Sequence, residues 1–220
     1  MTISVLSPAA DDTDRRLADQ QALKPLAELV GAWRGVGMVQ RNVQKGSWKE
    51  SADWSWKLGR DSAALELKLV DGKYLTAAGV RPGPKSGEFT MEASLADGTQ
   101  RTFLGKFNER KQLVLTADGK VGTGVGRISL SPLHETRFLM LLEVPEGPKT
   151  WKRLAEVGFT REGVAFAAGD ATPVCIVTGG RGTIAIKHKG ETYHVCCSGC
   201  KQLFDDDPDG VIAQYKAKKK

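Results

Sequence analysis

From Trp33 to Arg161 the chain repeatedly alternates apolar and polar residues with a period of two, and this pattern limits its main body to antiparallel sheet. Trp54, Trp56 and Leu58 alternate with Ser55 and Lys57. Leu65, Leu67 and Leu69 alternate with Glu66 and Lys68, and Phe89, Met91, Ala93 and Leu95 with Thr90, Glu92 and Ser94. Successive side chains of a strand point to opposite faces, so each segment buries one face and wets the other. Asp71-Gly72, Asp97-Gly98 and Asp118-Gly119 supply hairpin turns between the segments. No helix-length pattern interrupts the run, and about nine or ten strands are expected between residues 31 and 168. That number is enough to close a sheet on itself and remove its edges. The predicted fold is mainly β, an up-and-down antiparallel β-barrel.

Ahead of the barrel, Leu17, Leu23, Leu26, Leu29 and Val30 fall at helical spacing. An N-terminal helix is expected over residues 14–30, kinked near Pro25, behind a flexible polar start over 1–13. Hydrophobic residues at 40% and charged residues at 26% exclude wholesale disorder and a membrane bundle, and no run reaches the ~18 apolar residues of a membrane span. The net charge is +6, but four lysines of the C-terminal tail, Lys216, Lys218, Lys219 and Lys220, carry most of it. The body is nearly balanced, which argues against nucleic acid as a partner. The first ten residues lack the basic and apolar regions of a signal peptide, although Ser7-Pro8-Ala9 resembles a small-residue cleavage site. Export to the periplasm and a cytoplasmic location both stay open, as does the oligomeric state.

The segment Leu29-Val30-Gly31-Ala32-Trp33-Arg34-Gly35-Val36-Gly37, with Trp48-Lys49-Glu50 and a closing Phe159-Thr160-Arg161, resembles the lipocalin-like and nitrobindin-like barrels of bacteria. The resemblance covers about 30–165, within an expected domain of helix plus barrel over residues 14–168, and such a barrel either holds a small apolar ligand or is filled by its own side chains. Nitrobindin-like barrels hold haem through a histidine. The barrel segment has one histidine, His134, whose neighbours Pro132 and Glu135 place it in a solvated turn, so haem is not expected. Gly122-x-Gly124-x-Gly126 lacks the Lys-Ser/Thr of a phosphate loop and is expected to form a tightly curved or bulged strand. Trp33, Trp48, Trp54, Trp56 and Trp151 are expected to pack core and rim. No nucleophile, base and orienter combine into a catalytic set.

All four cysteines, Cys175, Cys196, Cys197 and Cys200, fall near the C-terminus. Disulfide stapling of the whole chain would not cluster them this way. Residues 169–172 form an expected linker to a module over 169–220. In it, Thr183–Ile186 and Thr192–Cys196 pair across a Lys189-Gly190 turn, a helix is capped by Ser198, and a last helix starts at Pro208. A chain ending near Ala168 is expected to keep its β-rich fold. Twenty residues separate Cys175 from Cys196, and three separate Cys196 from Cys200. The spacing places one sulfur before a hairpin and two at the strand-to-helix turn, where all can converge on one ion. A disulfide such as Cys175 to Cys200 is the competing arrangement. His188, between Lys187 and Lys189, is expected to be an exposed hairpin residue.

Pro173-Val174-Cys175, then Gly190 through Lys201, Phe204 and Asp207-Pro208, resembles the YHS/TRASH metal-binding domains. This resemblance implies a small α+β treble-clef-like module of metal sensing, trafficking or heavy-metal resistance, with Cys175, Cys196 and Cys200 as ligands. His194 stands where the family usually has an aromatic and Cys197 where it often has serine, so either residue can complete the site. The expected function is non-enzymatic binding of a soft transition metal, zinc or copper(I), by three or four thiolates. Two alternatives stand beside it. One is a barrel-based haem or small-ligand carrier or enzyme whose cysteines form a structural zinc staple or disulfide. The other is an interaction module held together by metal.

Overall fold

The computed structural model describes residues 8–40, 43, 45–119, 121–122, 124–162 and 173–218. Ten strands form the body: β1 (Gly31–Met38), β2 (Trp48–Leu58), β3 (Ala63–Val70), β4 (Leu75–Pro82), β5 (Glu88–Leu95), β6 (Gln100–Phe107), β7 (Leu113–Ala117), β8 (Arg127–His134), β9 (Arg137–Pro145) and β10 (Trp151–Arg161). Each is bonded to its neighbour in sequence, and β1 pairs antiparallel with β10, from Trp33 opposite Arg161 to Met38 opposite Glu156. The closure makes an up-and-down barrel, as the period-two pattern and turn spacing require.

The turns follow the residues. Asp71, Gly98 and Gly119 take positive φ values of 59°, 84° and 92°, the left-handed conformation that hairpin ends need. The Gly122-x-Gly124-x-Gly126 stretch lies in the β7–β8 connection rather than in a bulged strand, which corrects the expectation. Gly124 has a φ of 101°, and a Cβ on Gly126 would meet the Trp151 ring at 2.9 Å, so loop geometry and a close ring use these glycines.

Two contact-defined units divide the chain, one formed from 1–30, 55–65 and 170–220 and the other from 31–54 and 66–169. In the second unit, Trp33 meets Phe138 edge-on at 4.8 Å and Phe138 stacks on Phe159 at 4.5 Å, with all three rings fully buried. Arg127 donates twice to Glu143, at 2.6 and 2.8 Å, and covers the Trp151 ring at 4.8 Å. This pairing removes the cost of burying Glu143 alone.

In the first unit, helix α1 (Pro8–Leu23) continues into a 3-10 helix at Lys24–Leu29 that buries Leu26 and Leu29. Pro25 tightens the turn instead of kinking one continuous helix, because it lacks the N–H that an α-helical turn would use. The helix begins ahead of residue 14. Asp12 pairs with Arg15 at 2.7 Å and with Arg60 at 2.9 Å, Asp19 Oδ2 accepts the Ala63 N–H at 3.0 Å, and Arg16 reaches the Gly59 carbonyl at 3.5 Å. These bonds give the polar residues of the helix partners in the β2–β3 turn. No described helix is long and apolar enough to cross a membrane.

The C-terminal segment is α+β: β11 (Ile184–His188), β12 (Glu191–Val195), α2 (Ser198–Asp206) and α3 (Pro208–Lys218). Lys189 and Gly190, both at positive φ, make the two-residue turn, with His188 opposite Glu191. Cys197 rather than Ser198 is the N-cap of α2, with extended dihedrals of −161° and 174°. Lys216 and Lys218, expected in a loose tail, form the last turn of α3, where cations complement the helix dipole. His188 is half-buried rather than exposed, because it packs edge-on against Phe204 at 5.7 Å. The expected linker at 169–172 lies outside the described residues, as do residues 1–7 of the signal-like start.

Candidate metal centre

Cys175 sits in a loop closed by its own backbone. Its N–H donates to the Gly180 carbonyl at 2.7 Å, and its carbonyl accepts the Gly179 N–H at 2.8 Å. Gly179 has a φ of 76°, so the reversal uses a conformation that side chains disfavour. The loop is laid against β12 by a parallel bridge between Cys175 and His194, and the Ile176 N–H donates to the His194 carbonyl at 2.9 Å. Cys196 follows β12, and Cys200 lies in the first turn of α2. The alternation of the strand and the register of the helix thereby deliver two sulfurs four residues apart.

The Sγ atoms of Cys175, Cys196 and Cys200 all lie within 4.8 Å of one another, and those of Cys196 and Cys200 are 3.5 Å apart. Tetrahedral thiolates at about 2.3 Å from a zinc ion are about 3.8 Å apart, so this set is spaced for one ion. All three residues are buried. None of the four cysteines is in a disulfide.

The two further candidates lie outside this set. Cys197 Sγ is 3.9 Å from Cys196 Sγ, yet it accepts the backbone N–H of Trp56 in β2 at 3.3 Å. His194 serves through its backbone, which aligns Cys175 with β12. Two neighbours of the thiols were missed by sequence reasoning. Trp56 gave no signal, because its part is played by a main-chain N–H. Thr178 gave a weak one, as a hydroxyl residue opening a Gly-Gly turn. Its Oγ1 is 3.6 Å from Cys196 Sγ and 3.4 Å from the Gly180 nitrogen, whose N–H it accepts.

Hydrogen bonds sort the thiols into two kinds. Cys175 is shifted well below the usual thiol value by bonds from Cys196 and Cys200, helped by the hydroxyl and N–H of Thr178. Cys197 is lowered likewise, first by Cys196 and Cys200 and then by the backbone N–H groups of Cys200 and Trp56. Cys196 and Cys200 are shifted upward, since they donate to their neighbours and lose solvent. A metal ion bound at these sulfurs would have to displace the protons that Cys196 and Cys200 hold.

No protein-family profile matches the chain, and no curated protein matches it. Among solved structures it is similar to the crystal structure of Rv2717c from M. tuberculosis, with a TM-score of 0.45 and 16% identity over 64% of this chain and 97% of that one.

His134 ends β8, exposed, with Nδ1 3.3 Å from Thr136 Oγ1. The described residues place no second histidine in the barrel strands.

Proposed function

We propose that the chain is a non-enzymatic metal-handling protein whose C-terminal module, of YHS/TRASH type, binds a soft ion such as zinc or copper(I) through Cys175, Cys196 and Cys200. The observation that carries this reading is the convergence of three buried sulfurs within 4.8 Å, drawn from three separate pieces of local structure. Thiolates select soft ions, and the described residues offer no carboxylate or imidazole nitrogen in the same set. Trafficking, sensing or resistance to a toxic ion are the roles that suit such a site. The barrel, of lipocalin-like or nitrobindin-like kind, serves as the scaffold or holds a small apolar ligand.

Elemental analysis after reconstitution with zinc or copper(I) under reducing conditions tests the reading. One ion per chain is expected, and four readily titrated thiols with no bound metal would refute it. Competition against a chromophoric chelator then ranks the cysteines. Cys175→Ser, Cys196→Ser and Cys200→Ser are each expected to weaken binding by far more than Cys197→Ser.

A further inference from the structure

The loop that carries Cys175 also carries Thr178, three positions later and immediately before the left-handed Gly179. A Cys-x2-Cys loop places two sulfurs of a tetrahedral site, and here a hydroxyl stands at the second of those positions. The geometry follows the spacing. Thr178 Oγ1 approaches Cys196 Sγ at 3.6 Å, and its hydroxyl and N–H also hydrogen-bond the Cys175 sulfur. The hydroxyl oxygen accepts the Gly180 N–H and keeps a second lone pair, so toward Cys196 it can either donate to the sulfur or accept from the thiol. Cys197, the other claimant to the fourth corner, lies outside the set of sulfurs that fall within 4.8 Å of one another, and its sulfur accepts the Trp56 N–H.

We infer that Thr178 determines the specificity of the centre: its hydroxyl stands at the fourth corner where a thiolate would close the site, leaving three sulfurs for an ion content with three. This rests on the metal-binding reading given above. The ion class is one satisfied by low thiolate coordination, copper(I) or a heavier soft ion. A structural zinc ion ordinarily takes four protein ligands. Thr178 stabilises bound thiolates by hydrogen bonding and adds no charge. It therefore suits exchange of the ion with a partner better than permanent retention.

Cobalt(II) reports thiolate number through its sulfur-to-metal and ligand-field absorption, and zinc and copper(I) affinities follow from chelator competition on the full chain. Wild type is expected to give a three-thiolate cobalt spectrum. Thr178→Cys is expected to convert it to a four-thiolate spectrum and to tighten zinc binding beyond the roughly 10–100-fold that changes in a ligand's hydrogen-bonding partner produce, with copper(I) affected less. An unchanged spectrum and zinc affinity in Thr178→Cys would overturn the inference. So would a wild-type spectrum that already shows four thiolates and loses one in Cys197→Ser, a result that does not depend on the threonine variant folding. If wild type binds none of the three ions, the metal-binding reading itself fails, which separates the two outcomes.

Discussion

Glu50 sets a carboxyl on an inward-facing position of β2, 7% exposed, with Oε2 accepting the Trp48 indole N–H at 2.5 Å and Oε1 without a partner among the described residues. Burial raises its pKa above the ordinary 4.5, outweighing the bonds from Trp48 and the Lys73 backbone. The folded chain therefore holds this proton more tightly than the unfolded chain. The stability it contributes is complete below the ordinary carboxylate value and is lost as pH rises through the folded one. Glu50→Gln should gain on wild type as pH rises above the ordinary carboxylate value in denaturant titrations, and a stability difference that stays flat with pH would reject this. The alternation of β2 shows that residue 50 faces inward, but not that its second oxygen lacks a partner. The same limit applies at the thiols. Spacing placed Cys175, Cys196 and Cys200 to meet on one ion and left Cys197 and His194 as candidates to complete the site, and what engages the Cys197 sulfur is the main-chain N–H of Trp56, more than a hundred residues away. No side-chain pattern encodes that donor.

The start of α2 is built against backbone. A Cβ on Gly199 would stand 1.7 Å from the Trp56 carbonyl oxygen, an atom that cannot swing away as a side chain can. The pairing of β1 with β2 ends at Trp54, opposite Gly31, so Trp56 lies past the last β1 pair, where Cys197 and Gly199 meet its N–H and carbonyl. Gly199→Ala should cost about 1–3 kcal/mol by overpacking and, because Cys200 rides on the same turn, should weaken metal binding as well. Gly79→Ala is the control, since its Cβ would meet nothing within 4 Å and its φ is ordinary. Equal behaviour of the two variants in denaturation and chelator competition would show that α2 does not need this close approach. At this scale much was legible. A count of about nine or ten strands, the Lys189-Gly190 hairpin and the break at Pro208 all follow from period, turn residues and proline. The beginning of α1 did not, because its polar residues are held by bonds to Gly59, Arg60 and Ala63 that are invisible from its own periodicity.

For the whole molecule, the first unit is drawn from three distant stretches of sequence, and one of them, 55–65, holds the end of β2, the β2–β3 turn and the start of β3. A change of composition near residue 169 marks where the cysteine module begins, yet composition carries no sign that the module shares a unit with α1 and that turn. The consequence is measurable by cutting. A chain ending at Ala168 keeps all ten barrel strands and should remain β-rich by circular dichroism. It loses the sulfur that accepts the Trp56 N–H, and a donor left without its acceptor costs about 1 kcal/mol or more. In a chain this size that is a fall of roughly 2–4 °C in Tm, and the lost packing of the unit adds to it. The intact chain should also respond to metal, since an ion bound only by the folded state at a hundred times its Kd adds about 2.7 kcal/mol. Thermal unfolding of both chains with and without zinc or copper(I) decides the matter. The intact chain should melt at the higher temperature and rise further with metal, while the shortened chain should not respond. A shortened chain as stable as the metal-free intact one would show that the C-terminal module adds nothing to the stability of the β2–β3 turn, and that the barrel folds without regard to it.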